Sequence, residues 1–131
     1  MTKTNFIDKY PVFSLHVKKD EINFKSTDEI IAYFQERIEK HPVATFIAIF
    51  DHYAHTSSLP DATIAPEIKD AKNIVFCFGK QLPNAKMLAV RPRSIGVCEL
   101  DESFEISFLE VPNAQLQEVV KEWVAAIKTK A

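Results

Sequence analysis

Two of the four histidines of this chain lie close together in the segment FDHYAH, residues 50–55. His52 and His55 follow Asp51, directly after the apolar run VATFIAIF. Imidazole and carboxylate groups are the usual protein ligands of zinc, copper, nickel and iron, so His52 and His55 are candidate ligands of a divalent metal. A histidine oriented by a nearby acid can also act as a general base, and His52 is the candidate for that role. In a third interpretation these side chains only make structural hydrogen bonds where a strand ends.

The position at which the strand ends decides whether the two histidines can act together. In an extended strand successive side chains point to opposite sides, which separates His52 from Asp51 and His55. If a helix begins after Phe50, His52 and His55 are three residues apart and share one helical face. A two-histidine site therefore requires the strand to end at Asp51. The H-E-x-x-H pattern of zinc proteases is absent from the sequence.

Arg91 and Arg93 form a second candidate binding feature, on either side of Pro92. The planar guanidinium group binds carboxylates and phosphates through two parallel hydrogen bonds, so the pair predicts a small anionic ligand. Alternatively, both arginines pair with surface acids on an edge strand, where charge and proline discourage aggregation. The chain has only two glycines, which excludes a glycine-rich phosphate-binding loop.

The composition is that of a globular protein. The chain has 131 residues, of which 47% are apolar and 26% charged, and we predict a single domain over residues 1–131. Sixteen basic residues oppose eighteen acidic residues, so the basic surface typical of nucleic-acid binding is not expected. The longest apolar run, residues 43–50, is far shorter than the roughly 20 residues of a membrane-spanning helix. We therefore predict neither a nucleic-acid nor a membrane partner.

The cysteines and the amino terminus indicate the cellular compartment. Cys77 and Cys98 form no C-x-x-C pair, and two cysteines are too few for a disulfide scaffold. Their apolar neighbours favour buried, unreactive thiols. The first residues, MTKTNFIDKYP, lack the apolar stretch of a signal peptide. These features predict a cytoplasmic protein.

Hydrophobic periodicity predicts two helices and five strands. The segment 26–42 has a capping box at Ser26 and Glu29 and stops at Pro42, and the segment after Pro112 and Asn113 repeats apolar residues at helical spacing up to Ile127. Alternation or continuous apolarity predicts strands over residues 11–19, 43–50, 73–79, 93–100 and 104–111, the last two joined as a hairpin.

This order, β-α-β-β-β-β-α, predicts an α+β fold with a mainly antiparallel sheet of about five strands and two amphipathic helices packed on it. The strands over residues 43–50 and 73–79 are apolar on both faces, which is typical of central strands. Because the helices would cover only one side of the sheet, we expect part of the other face to be free. Self-association into a homodimer across that face would bury the excess apolar surface.

The middle of the chain resembles a bacterial family known as domain of unknown function 302. The likeness covers about residues 44–111 and depends on an apolar strand ending in Asp-His (IAIFDHYAH), a strand ending in Phe-Gly (IVFCFGKQLP), a following Met-Leu turn and a final hairpin. Asp51, His52 and Gly79 match the family's recurrent positions, and the resemblance implies a compact, often dimeric α+β fold without an established reaction. Two departures stand out: Lys80 and Gln81 replace the usual Asn-Pro, and GVCEL replaces an acidic-Leu-Pro signature.

The sequence therefore predicts a small binding domain. Its candidate ligand pocket lies at Asp51, His52 and His55, with Arg91 or Arg93 beside it, and its ligand is a small polar molecule or a divalent metal. The alternatives are a small enzyme that uses His52 as general base, and a structural or partner-binding module without a small-molecule site.

Overall fold

The computed structural model describes residues 1–129, so residues 130–131 of the predicted domain lie outside the described part. Six strands form one antiparallel sheet in the order β1-β2-β6-β5-β4-β3. The strands are β1 Thr2–Phe6, β2 Tyr10–Lys18, β3 Ala44–Asp51, β4 Asp70–Phe78, β5 Arg93–Glu99 and β6 Ser103–Leu109. The α-helices of the described residues are α1 Thr27–Lys40, α2 His52–Ser57, α3 Met87–Val90 and α4 Ala114–Ala125. The predicted α+β class with an antiparallel sheet is confirmed.

The additional strand, β1, pairs with β2 through a tight turn that lacks the usual turn residues. Ile7 and Asp8 both adopt left-handed backbone angles, with φ of 54° and 56°. Such turns usually carry glycine or asparagine, and a β-branched residue is rare there. The hairpin was therefore not expected from the sequence.

Both long helices pack on the same face of the sheet. The Ser26 hydroxyl accepts a hydrogen bond from the Glu29 amide at 3.1 Å, so α1 begins where its capping residue predicts. The Asn113 side chain caps α4 in the same way. The apolar stripes of the two helices meet alternate residues of the strands in one buried core. Its fully buried large side chains include Phe34, Ile38, Phe76, Phe104, Ile106 and Val120.

The opposite face of the sheet carries the residues that alternate with the core positions. On β4, Ile74, Phe76 and Phe78 are buried among the core residues, so Ala71, Asn73, Val75 and Cys77 project from the other side. We call this second surface the open face. Its side chains are mostly small, and many are half-buried by their neighbours alone.

The interpretation of β3 as a central strand is wrong. This strand lies at the end of the sheet, where it pairs with β4 on one side only. Ile47, Ile49 and Phe50 are consequently 41–49% exposed. Apolar residues on both faces of a strand thus occur in this edge strand as well as in central strands, and here several of them remain exposed.

A separate finding concerns membranes. Within residues 1–129, the helices are all too short or too polar to cross a lipid bilayer.

Candidate functional site

The end of β3 has the geometry that a two-histidine site requires. The strand ends at Asp51 and α2 begins at His52, so His52 and His55 lie one turn apart on a short helix. The ring of Phe50 contacts both imidazoles, with centroid distances of 5.3 Å to His52 and 5.5 Å to His55. Both histidines are exposed to solvent.

Asp51 serves a different purpose at this position. One carboxylate oxygen accepts a hydrogen bond from the Ala54 amide at 2.9 Å, which caps α2, and the other lies 3.9 Å from the Lys72 ammonium. The nearest polar partner of His52 is instead the Thr56 hydroxyl, 3.2 Å from Nδ1. Within residues 1–129, His52 therefore has no hydrogen-bonded acid to orient it, and the general-base role stays a prediction.

Only His52 and His55 remain as candidate metal ligands at the end of β3. Among the described residues, no group of three or more His, Cys, Asp or Glu side chains is placed to hold a metal ion. A site with His52 and His55 as its only protein ligands, completed by water, is the form in which the metal hypothesis stays a prediction.

His52 also lines a small cavity of about 180 Å³ between α2 and the loop that precedes β4. The walls are mostly apolar, and the floor is Ala71 on the open face. His55 is not among the lining residues. The lining residues are His52, Tyr53, Thr56, Thr63, Ile64, Ala65, Ile68 and Ala71.

The two candidate arginines hold backbone segments together. Arg93 donates hydrogen bonds to the carbonyls of Val90, Leu109 and Glu110 at 2.8–3.0 Å, and burial lowers the pKa of its guanidinium. Arg91 donates to the Gln81 carbonyl at 2.7 Å. The cavity that both arginines line has a volume of only about 40 Å³, close to the space of one or two waters.

The sheet register separates the arginines from the histidines. Arg93 opposes Phe76 on β4, whereas Asp51 opposes Lys72, four residues away on the same strand. That spacing corresponds to roughly 13 Å along the strand. His52 and Arg93 accordingly line different cavities, and the anionic-ligand role of Arg91 and Arg93 stays a prediction.

A larger groove of about 340 Å³ lies on the open face, and sequence reasoning did not find it. Its floor is formed by β4, β5 and β6, and the residues of α3 and the segment after it form one wall. Among the described residues that line it, Arg93 alone carries a charge. The lining residues are Val12, Asn73, Ala89, Val90, Pro92, Arg93, Ser94, Gly96, Ser107, Phe108 and Leu109.

A row of small and polar residues crosses the sheet beneath this groove. Strand pairing places Asn73 beside Gly96, and Gly96 beside Ser107. The same row continues to Ser14 on β2, and on β3 it ends at the aromatic Phe50. These residues come from five strands, so only the register brings them together.

Gly96 leaves space for the two polar side chains on either side of it. A Cβ atom at Gly96 would lie 3.4 Å from Asn73 Nδ2 and 3.8 Å from Ser107 Oγ. The amide of Asn73 and the hydroxyl of Ser107 therefore converge above the glycine. Neither of these side chains, nor that of Ser94, hydrogen-bonds another residue in the described range 1–129.

The two cysteines lie on the same open face and are free and half-buried, whereas the sequence predicted buried thiols. Burial raises the pKa of the Cys98 thiol, and the carboxylates of Glu105, Asp70, Glu67 and Glu99 raise it further. A disfavoured thiolate reacts slowly, so Cys98 is a poor nucleophile.

Comparison with known proteins identifies the family of the chain. The model of a family of unknown function, DUF6858, matches residues 1–129. The protein belongs to the DUF6858 family. No curated protein and no solved structure matches it.

The resemblance to domain of unknown function 302 is therefore wrong, because the DUF6858 match spans the β1–β2 hairpin, the central motifs and both long helices. The short motifs behind that resemblance have local causes. Asp51 caps a helix, and Gly79 ends a strand with φ of 116°, an angle that favours glycine. Unrelated chains meet the same local requirements, so such motifs recur without common ancestry.

Proposed function

We propose that this DUF6858 protein is a binding domain for a small, uncharged polar molecule, which it holds in the groove above Gly96. The observation that carries the proposal is the convergence of the Asn73 amide and the Ser107 hydroxyl over a glycine, without hydrogen-bond partners of their own within residues 1–129. A concave site with a few unpaired polar groups among apolar walls is the usual form of a small-molecule site.

The chemistry of the groove favours an uncharged ligand with hydroxyl or amide groups. An asparagine side chain offers one acceptor and two donors, and each serine hydroxyl can act as either. No carboxylate from the described part of the chain lines the groove, and three N–H groups of Arg93 already donate to backbone carbonyls. Val12, Leu109 and Pro92 would contact the apolar part of the ligand.

Nuclear magnetic resonance titration of the full chain tests this proposal. The probes are acetamide, glycerol and glucose as uncharged ligands, with sodium acetate as the anionic comparison. For fragments of this size we expect a dissociation constant of about a millimolar. The amide signals of Asn73, Gly96 and Ser107 should shift and saturate with at least one uncharged probe.

Gly96→Val provides the decisive variant, because its side chain would fill the space between Asn73 and Ser107. Valine suits a strand, so folding should be retained while binding weakens about tenfold or more. Cys98→Val is the matched control, since it places the same residue on the open face of β5 outside the groove lining. If no uncharged probe binds, or if Gly96→Val binds as well as the wild type, the proposal is wrong.

A further inference from the structure

We propose that a second copy of this chain pairs with the outer edge of β3, so that two six-stranded sheets join into one. The proposal goes beyond the ligand site, because it concerns an edge of the sheet that the groove does not use. It also differs from the dimer expected from the sequence, which would have covered the open face.

The edge of β3 lacks most features that keep exposed strands from pairing. Residues 44–50 contain no charge and no proline, and Ile47, Ile49 and Phe50 expose 41–49% of their surface. Natural edge strands are normally protected by lysine, proline or short length. The opposite edge, β1, has only five residues and carries Lys3 as its second residue.

Charge complementarity makes a second copy a suitable occupant. Lys40, whose side chain is 73% exposed, precedes the uncharged stretch, and Asp51, whose side chain is 47% exposed, follows it. In an antiparallel pair centred near Ile47, Asp51 of one copy approaches the Lys40 end of the other. A parallel pair would instead bring the two Asp51 carboxylates together. The strand is therefore complementary to itself only in the antiparallel arrangement, which is the arrangement that two-fold symmetry permits.

The two-fold symmetry determines where the helices and the open faces of the two copies lie in the dimer. An antiparallel edge pair has its two-fold axis perpendicular to the sheet, so the helix layers of both copies lie on one side. Both open faces, each with its groove above Gly96, lie together on the other side and stay accessible. Dimer formation and ligand binding are thus separate properties that can be tested separately.

The β-bulge in β3 limits the expected affinity of the dimer. The pairing of β3 with β4 shifts register between Phe46 and Ala48, which leaves Ile47 without a partner on β4. Bulges bend an edge and shorten the stretch that can pair. A single strand edge also buries less than the roughly 800 Å² per partner of a standard interface. We therefore expect a dissociation constant of about a micromolar to tens of micromolar.

Sedimentation velocity of the full chain over a wide concentration range tests the proposal. The wild type should convert from monomer to dimer, and Ile49→Lys should raise the dissociation constant about tenfold or more by placing a charge on the edge. Leu88→Lys is the matched control, because Leu88 is 66% exposed and belongs to α3, not to the edge strand. It should dimerise like the wild type.

Amide hydrogen exchange locates the contact independently of the variants. Amides within residues 44–50 should become more protected as protein concentration rises, and those of β1 should not. A monomer at all concentrations overturns the proposal, as does a dimer that Ile49→Lys leaves intact. A dimer whose concentration-dependent protection lies on β5 and β6 instead of β3 would also overturn it, since that pattern indicates association through the open face.

Discussion

Replacing Trp123 with alanine should lower the free energy of unfolding by about 3–5 kcal/mol, the usual cost of removing a large aromatic side chain from a core. Trp123 is 7% exposed and joins three elements of the fold. Its ring stacks on Phe78 at a centroid distance of 5.4 Å and meets His41 edge-on at 6.0 Å. Its backbone carbonyl accepts a hydrogen bond from the Tyr33 hydroxyl at 2.6 Å, which links α4 to α1.

Urea denaturation followed by far-ultraviolet circular dichroism measures this loss. Trp123→Phe is the control, because it keeps an aromatic ring against Phe78 and should cost less than about 2 kcal/mol. A loss below about 1 kcal/mol for Trp123→Ala would contradict the central position of this side chain in the core.

The helices and their ends were predictable because their signals are local. Ser26 caps α1 and Asn113 caps α4, as their positions before apolar periodic stretches indicate. The β5–β6 hairpin was predictable for the same reason, since three residues separate two alternating stretches. Each of these features depends on fewer than twenty consecutive residues.

The position of β3 depends on long-range pairing and could not be predicted in this way. Its apolar residues satisfied the pattern of a central strand, yet no strand lies on its outer side within the described part of the chain. The apolar pattern of β3 shows that its side chains favour burial. A second chain can bury them as well as another strand of the same chain can. The failed prediction is thus itself an argument for the proposed dimer.

The candidate sites also differ in whether they depend on local sequence or on long-range strand pairing. A short segment, residues 51–55, brings together an aspartate and two histidines, so its possible chemistry is evident from the sequence alone. A helix beginning after Phe50 was one of the two geometries that the sequence allowed, and α2 has that geometry. The groove could not be predicted, because its polar residues are common types that lie far apart in the sequence. Ser107 follows Asn73 by 34 positions, with Gly96 between them. Only the register of β4, β5 and β6 makes them neighbours.

Lys72 should be the most important charged residue for stability, although it has no part in the groove. Its side chain is 15% exposed and is surrounded by three carboxylates from three elements. It hydrogen-bonds Asp28 at the start of α1 and lies 3.5 Å from Asp70 and 3.9 Å from Asp51. Lys72→Met keeps the length of the side chain but leaves these carboxylates without their shared cation. We expect the free energy of unfolding to fall by about 1–3 kcal/mol, while Lys72→Arg should retain most of it.

The pH dependence distinguishes this charge effect from a packing defect. The hydrogen bond to Asp28 is the main cause that raises the pKa of Lys72, with the charges of Asp70, Asp28 and Asp51 adding to it and burial opposing it. Because the folded pKa lies above that of the unfolded chain, the charge stabilises the fold fully below about pH 10 and less as pH rises through the folded value. The stability difference between wild type and Lys72→Met should therefore stay constant from pH 7 to about pH 10 and shrink at higher pH. A difference that persists unchanged above that range would assign the loss to packing of the side-chain stem, because packing does not depend on the proton.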